Sequence, residues 1–241
     1  MEAIAREKAG IIKNKVPVLT GSLPDSATNV IENIAKGKNA DLCQIDKVKD
    51  KSFPSTNLTG SYQRQNASLA LQASKLLKDE IAIKEELCID ALQKVKMIGR
   101  WQIIDTSSKI ILDACHNAAG AICLKENLET LDEKPEIWVG ILGEDRAPEI
   151  MDVVHSNAQS IKLFEVNQPR ACSFSILRSF IPHSFEGPVL DSNLKKAKSD
   201  LIRSGKNKTI LVTGSIYLIG DILSILQKTD SEQKINWNDL F

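Results

Sequence analysis

The sequence predicts an α/β protein, and three observations carry this prediction. From about residue 97 onward, short apolar runs alternate with segments of helical periodicity. Most of these runs are continuously apolar, which is typical of strands buried on both faces of a mostly parallel sheet. Polar or glycine-containing turns follow several of the runs, as expected where a strand passes into a helix. We therefore expect one complete α/β domain over 97–241 and only part of another domain over 1–96.

The first 96 residues predict helices that alternate with two short strands. A loop is expected over 49–60, and either Asp25 or Ser26 is expected to cap the second helix. The chain begins inside a helical pattern with no capping residue ahead of it, from which we expect that a further segment precedes Met1. Helices are predicted at 2–12, 25–36, 61–77 and 83–95, and strands at 16–21 and 40–48.

The rest of the chain predicts a regular alternation of the two kinds of element. Mainly apolar segments of five to seven residues indicate the strands, and longer segments with apolar residues three and four apart indicate the helices. Strands are predicted at 101–105, 109–113, 136–142, 160–166 and 208–213, and helices at 118–131, 147–156, 191–204 and 215–227.

Composition excludes several functional classes. Lys+Arg and Asp+Glu each number 31, so the formal net charge is zero and no basic excess favours nucleic-acid binding. No apolar run reaches the length of a membrane span, and no secretory signal is visible, so no membrane partner is expected. The five cysteines are scattered without a C-x-x-C pair. This pattern disfavours disulfide frameworks and zinc sites and favours a reducing cytoplasm.

The segment that follows the predicted strand 109–113 is the strongest candidate for a functional site. The end of this apolar strand and the turn before the next predicted helix contain three polar side chains, those of Asp113, His116 and Asn117. In open α/β sheets, ligands bind in the crevice outside the carboxyl ends of the strands. The alternative is an ordinary turn in which Asp113 and Asn117 only cap the next helix. The residue types alone leave both interpretations open.

Four further residues are candidates for binding or catalysis. Lys8 is either a surface lysine or an amine placed for chemistry. Gln63 and Asn66 lie about one turn apart at a helix start, where amides either read a nucleobase edge or cap the helix. Arg100 precedes the first strand of the second domain and suits either a phosphate or an interdomain ion pair.

Two later turns are weaker candidates. The turn at 143–146 lies at the same predicted sheet edge as Asp113, and its alternative is a solvated loop. In the turn after strand 208–213, Gly214 permits a tight reversal and Ser215 can cap the next helix. His155 and His183 have no evident partners in the sequence and are interpreted as structural. The chain contains neither G-x-x-x-x-G-K-[ST] nor G-x-G-x-x-G after a strand, so no independent nucleoside triphosphate site is expected.

Taken in order, five short blocks resemble the folylpolyglutamate synthase/dihydrofolate synthase family of the Mur ligase superfamily. They run in the family's order and cover nearly the whole chain. The blocks are Ile4-Ala5-Arg6-Glu7-Lys8-Ala9-Gly10-Ile11, Gln63-x-x-Asn66-Ala67, Gly99-Arg100-Trp101-Gln102, Asp113-x-x-His116-Asn117 and Val212-Thr213-Gly214-Ser215.

The resemblance implies an ATP- and Mg²⁺-dependent ligase that adds L-glutamate to folate or dihydropteroate through an acyl phosphate. It implies that 1–96 is the end of a central ATP-binding domain and that 97–241 is the Rossmann-like C-terminal domain of a Mur ligase. It also implies a cytoplasmic protein that is a monomer when full length.

The family's motifs assign roles residue by residue. Lys8 matches a lysine that CO₂ carbamylates, which makes it an oxygen ligand for Mg²⁺. Gln63 and Asn66 match the block near adenine, and Arg100 matches an arginine that reaches the ATP phosphates. Asp113 and His116 match positions that contact ribose and the phosphate region, and domain closure would bring Arg100, Asp113 and His116 onto the nucleotide. Lys8, Arg100 and His116 are thus the expected catalytic residues.

The chain departs from the family at two turns. Ala114, Cys115 and Ala118 replace the family's Gly, Ala and Pro, and Ala114 would be strained if its position required a positive φ. Glu144-Asp145-Arg146 replaces Asp-Lys-Asp, so no roles are assigned there.

The family's P-loop precedes the Lys8 block and is not in this sequence, so we expect the chain alone to be inactive. Two alternatives remain open. One is a Mur-type ligase that joins an amino acid to another acid, and the other is a degenerate domain that only binds a nucleotide or a partner.

Overall fold

The computed structural model of the protein describes residues 1–45, 53–203 and 208–233. The chain divides into two compact units. The first consists of Met1–Asn57 with Ser61–Val95, and the second of Leu58–Gly60 with Lys96–Phe241.

The first unit contains helices and two short strands, as predicted. Its strands pair in parallel over β1 (Val18–Thr20) and β2 (Leu42–Gln44). Small apolar residues, chiefly Ala9, Ala35 and Ala40, fill the core between the first two helices and the strands. The helices are α1 (Glu2–Ala9), α2 (Asp25–Gly37), α3 (Ser61–Leu76) and α4 (Glu85–Leu92).

Two details of the first unit differ from the prediction. Pro24, rather than Asp25 or Ser26, is the residue before α2, because Asp25 already has helical geometry. The predicted first helix also ends early, since its last turn gives way to tight turns at residues 10 and 11. Parts of the predicted strand 40–48 and loop 49–60, namely 46–52, lie outside the described residues.

The second unit is an open, six-stranded sheet in the described residues, with strand order β3-β4-β8-β5-β6-β7. Every neighbouring pair is parallel except β3 and β4, so the predicted mostly parallel sheet is confirmed. Its strands are β3 (Gln102–Asp105), β4 (Lys109–Asp113), β5 (Glu136–Val139), β6 (Ser160–Phe164), β7 (Val189–Ser192) and β8 (Thr209–Thr213). Its helices are α5 (Ala118–Leu128), α6 (Ala147–Asn157), α7 (Phe174–Ser179), α8 (Leu194–Arg203) and α9 (Ile216–Gln233).

Helices cover both faces of this sheet, also as predicted. Successive residues of a strand point to opposite faces, so each strand contributes to two cores. Ile111, Ile137 and Leu211 pack with residues of α5, α6 and α7. Leu112 and Val212, on the other face, pack with residues of α8 and α9.

The last strand in sequence, β8, is inserted between β4 and β5. Asp113 pairs with Thr213, and Thr213 in turn pairs with Val139. The turns that follow β4, β5 and β8 therefore lie side by side at one edge of the sheet, where α/β folds bind ligands.

Several predicted boundaries were wrong, and two elements were not predicted. Strand β7 is an edge strand with exposed Leu190 and Asp191, so it lacks the apolar pattern of a buried strand. The predicted helix 191–204 therefore begins only at Leu194, and the short helix α7 precedes β7. The predicted strands 136–142 and 160–166 leave the ladder at Val139 and Phe164. Among the helices that the structure describes, none is long and apolar enough to cross a membrane.

Candidate functional site

Asp113 is a buried carboxylate at the end of β4. Only 6% of the surface of Asp113 is exposed, and its Oδ2 accepts a hydrogen bond of 3.1 Å from the backbone N–H of Trp101. Burial raises the pKa of Asp113 to about 6, against the lowering effects of the Trp101 hydrogen bond and of nearby Arg100 and His116. Asp113 does not cap α5 but bonds back to the segment that leads into β3.

Asn117 and His116 complete the turn after β4. The Oδ1 of Asn117 accepts a hydrogen bond of 2.7 Å from the N–H of Gly120, so Asn117 is the N-cap of α5. The capping alternative is therefore correct for Asn117. His116 is exposed, and its Nδ1 lies 2.9 Å from the carbonyl oxygen of Ala114. Ala114 does not have a positive φ, so its replacement of glycine adds no strain.

The turn after β8 is tight, as predicted from Gly214 and Ser215. Gly214 has φ +97°, and a Cβ there would lie 2.5 Å from the carbonyl oxygen of Gly140. Only glycine allows this approach between the ends of β8 and β5. Ser215 Oγ accepts a hydrogen bond of 3.2 Å from the N–H of Tyr217 and thereby caps α9.

These turns line part of an open cavity of about 340 Å³ within the second unit. Its apolar wall comes mainly from Met97, Ile98, Leu142, Ile216 and Tyr217. Its polar side includes His116 and three arginines, Arg100, Arg146 and Arg170.

The arginines give the cavity a positive character. Within residues 1–45, 53–203 and 208–233, no side-chain hydrogen bond or ion pair involves the guanidinium of Arg100 or Arg170. The only ion pair of Arg146 within the part of the chain that the structure describes is a 4.0 Å contact with its neighbour Asp145. Guanidinium groups bind carboxylates and phosphates with paired hydrogen bonds. The cavity is therefore suited to an anionic ligand.

Arg170 was missed by the sequence analysis. It lies in the loop after β6, where Gly143 N–H donates to its carbonyl oxygen over 2.8 Å. A polar turn after an apolar strand was the available signal, the same one that singled out Asp113. The turn at 143–146 was noticed, but its Arg146 received no role.

The candidates in the first unit lie on two helices. Lys8 is exposed in the last turn of α1, and no ion pair to it is present in the described part of the chain. Gln63 and Asn66 lie one turn apart on α3, and Asn66 Nδ2 donates a 3.1 Å hydrogen bond to Gln63 Oε1. Gln63 is 2% exposed, and its Nε2 has no partner among the described residues. A buried donor without an acceptor costs free energy that a ligand can recover.

Among the described residues, no group of three His, Cys, Asp or Glu side chains is arranged to hold a metal ion. The burial of Cys115 raises the pKa of its thiol to about 12, so this cysteine stays protonated at neutral pH.

Comparison with known proteins shows clear relatives, although no protein-family model matches the chain. The dihydrofolate synthase/folylpolyglutamate synthase of Bacillus subtilis is 28% identical over 92% of this chain and 57% of its own length. The protein of that name from Escherichia coli is 23% identical over 97% of this chain.

Two solved structures have a fold similar to that of this chain. The folylpolyglutamate synthase of Thermotoga maritima matches with a TM-score of 0.70 and 26% identity, over 94% of this chain and 57% of its own. The Mycobacterium tuberculosis folylpolyglutamate synthase, solved with ADP and AMPPCP, matches with a TM-score of 0.76 at 20% identity. By sequence and by fold, this chain is similar to the dihydrofolate synthases/folylpolyglutamate synthases, and it spans a little over half the length of the relatives it matches.

Proposed function

We propose that this chain is part of an ATP-dependent ligase that joins L-glutamate to folate or dihydropteroate. The observation that carries the proposal is the cavity at the carboxyl edge of the sheet, with Arg100, Arg146, Arg170 and His116 around it. Every proposed ligand carries phosphate or carboxylate groups: ATP, glutamate, and folate or dihydropteroate. A cavity with three guanidinium groups and an apolar wall fits such ligands better than it fits a neutral one.

Under this proposal the second unit contributes groups that neutralise and orient anions. Arg100 and His116 are assigned to the phosphates and Asp113 to the ribose. ATP, when bound, supplies the phosphoryl group that activates the substrate carboxylate. Such transfers depend chiefly on positioning and on charge neutralisation, which these residues supply. Arg146 and Arg170 add positive charge to the same cavity.

The first unit contributes Gln63 and Asn66, which we assign to the adenine. The unpartnered Nε2 of Gln63 supports this assignment, because a nucleobase nitrogen or carbonyl can accept from it. Lys8 is assigned to Mg²⁺, provided that it is carbamylated. The described residues around it provide no cluster of acidic ligands, so we derive no step through the metal.

The proposal includes an assignment of the chain to two domains. Residues 1–96 are assigned to the end of a central ATP-binding domain and 97–241 to the C-terminal domain of a Mur ligase. We further propose that the full-length protein is cytoplasmic and monomeric.

The proposal is tested by anion binding to the 241-residue chain. Isothermal titration with Mg-ATP should show weak or no affinity, and tripolyphosphate should bind weakly at the cavity. Arg146→Ala and Arg170→Ala should each weaken tripolyphosphate binding about tenfold, the effect of losing one charge-assisted hydrogen bond.

Arg178→Ala is the matched control, because Arg178 is paired with Asp191 on the surface, at 2.6 Å. It should leave binding unchanged. Micromolar Mg-ATP binding by this chain alone would contradict the expectation that it has no independent nucleoside triphosphate site. Equal effects of all three arginine substitutions would contradict the assignment of the cavity.

A further inference from the structure

The segment that carries Arg100 has an unusual backbone. Gly99 has φ +67° and Trp101 has φ +50°. The residues on both sides of Arg100 therefore have a left-handed backbone conformation. Glycine adopts this conformation freely, but a tryptophan there costs about 1–3 kcal/mol. Such a conformation persists only where surrounding contacts determine it.

Two hydrogen bonds tie this segment to the end of β4. Trp101 N–H donates to Asp113 Oδ2 over 3.1 Å, and Ala114 N–H donates to the carbonyl oxygen of Gly99 over 2.8 Å. The Trp101 side chain is also anchored, because it is buried in the core beside Ile111 and Cys115. Arg100 is therefore held from both neighbours, and the Asp113 carboxylate makes one of the two bonds.

We propose that Asp113 is a positioning residue, whose carboxylate holds the left-handed turn at Trp101 and thereby fixes the Arg100 guanidinium at the anion-binding cavity. The cavity is lined by Arg100, Ala114 and His116. The hydrogen bonds that hold the Arg100 segment therefore lie next to the anion-binding cavity. The inference rests on the proposed function only for the identity of the anion.

For tripolyphosphate, which has no ribose, a nearby negative charge and a positioning residue at 113 predict opposite results. If Asp113 acted only as a nearby negative charge, it would repel an anion, and its removal would strengthen binding. If it positions Arg100, its removal frees the guanidinium and weakens binding.

Protonation of Asp113 offers a second, independent probe. Burial raises its pKa to about 6, so its charge changes between pH 7 and pH 5. The titratable and charged groups that interact with it are Arg100, His116, Cys115 and Cys123. Histidine is a side chain that can change its charge in this pH range, so a His116→Gln background isolates the titration of Asp113.

The test uses the full chain labelled with ¹⁵N. The Trp101 amide and the Arg100 Nε–H resonances are followed from pH 7.5 to 5 in the His116→Gln background, and tripolyphosphate is titrated into each variant at pH 7.5. Both resonances should move with one midpoint near 6. Asp113→Ala should weaken tripolyphosphate binding about tenfold, to the level of Arg100→Ala, and the double variant should be no weaker than either single one.

Asp113→Asn should retain most of the binding, because an amide oxygen accepts from the same N–H. Asp132→Ala, an exposed aspartate, is the control and should behave as wild type. Additive effects of Asp113→Ala and Arg100→Ala, tighter binding by Asp113→Ala, or an Arg100 resonance that ignores the Trp101 titration would each overturn the proposal.

The binding measured for Asp113→Asn and the resonances followed with pH do not depend on Asp113→Ala. They therefore test the proposal even if that variant does not fold. A wild-type chain that fails to bind tripolyphosphate, with the two resonances still coupled, would count against the proposed function and not against the positioning role.

Discussion

Replacing Glu136 by glutamine should destabilise the second unit by about 3 kcal/mol at neutral pH. Glu136 begins β5, its side chain is 7% exposed, and it lies at the centre of a partly buried ion-pair cluster. Its Oε2 accepts from Lys208 Nζ at 2.8 Å, and its Oε1 lies 3.0 Å from Lys162 Nζ. Trp138 Nε1 donates to the same Oε1 over 2.6 Å. Lys162 also binds Asp200 at 2.8 Å.

The magnitude follows from the pKa of Glu136. Burial acts to raise it, but the hydrogen bonds from Lys208, Trp138 and Lys162 outweigh burial and lower it from 4.5 to about 2. At about 1.4 kcal/mol for each factor of ten in the ionisation constant, this difference corresponds to about 3 kcal/mol. Because the pKa is lower in the folded state, the contribution is complete above about pH 4.5. It is lost as the pH falls towards 2.

The assay is urea unfolding followed by tryptophan fluorescence, which reports on the second unit because Trp101 and Trp138 are buried there. Wild type is compared with Glu136→Gln at several pH values between 7 and 3. The difference in unfolding free energy should be about 3 kcal/mol at pH 7 and should shrink below pH 4.5. Glu133→Gln, an exposed position three residues away, should change stability by less than about 0.5 kcal/mol. A difference that stays constant from pH 7 to 3 would refute the reasoning.

Two further predictions concern the turns that form the candidate site. Asn117→Ala should cost about 1 kcal/mol, because it removes the cap of α5, whereas Asn117→Asp should cost less; equal losses in urea unfolding would show that the 2.7 Å cap bond is not the cause. Gly214→Ala should cost more than about 2 kcal/mol and also weaken tripolyphosphate binding, because its Cβ would lie 2.5 Å from the Gly140 carbonyl. Gly220→Ala, where a Cβ would meet nothing within 4 Å, is the control and should be neutral or slightly stabilising by thermal unfolding.

The order and type of most elements could be predicted because they depend on local patterns. The apolar run Ile110–Leu112 predicted the centre of β4, and the strand bounds 109–113 were predicted to the residue, since a strand buried on both faces is mainly apolar. The edge strand β7 could not be predicted in this way, because Leu190 and Asp191 face solvent and carry no burial signal. Polar residues at strand ends marked Asp113 and the Gly214 turn, again because the signal lies within a few residues.

Contacts between distant segments could not be predicted. Insertion of β8 between β4 and β5 decides that Lys208 reaches Glu136, which is 72 residues away in sequence. The same topology places Arg146 and Arg170 beside His116 around one cavity. Nothing in the pattern around Trp101 indicated its positive φ or its hydrogen bond to Asp113.

By itself, the sequence determined the α/β class, the apolar strands and the polar residues at their carboxyl ends, because hydrophobic periodicity and turn chemistry act over a few residues. Only the tertiary structure decided which of those strand ends are neighbours, which arginines share a cavity, and that Asp113 bonds to the backbone beside Arg100. These depend on strand order and on burial, which arise only when segments far apart in the chain pack together.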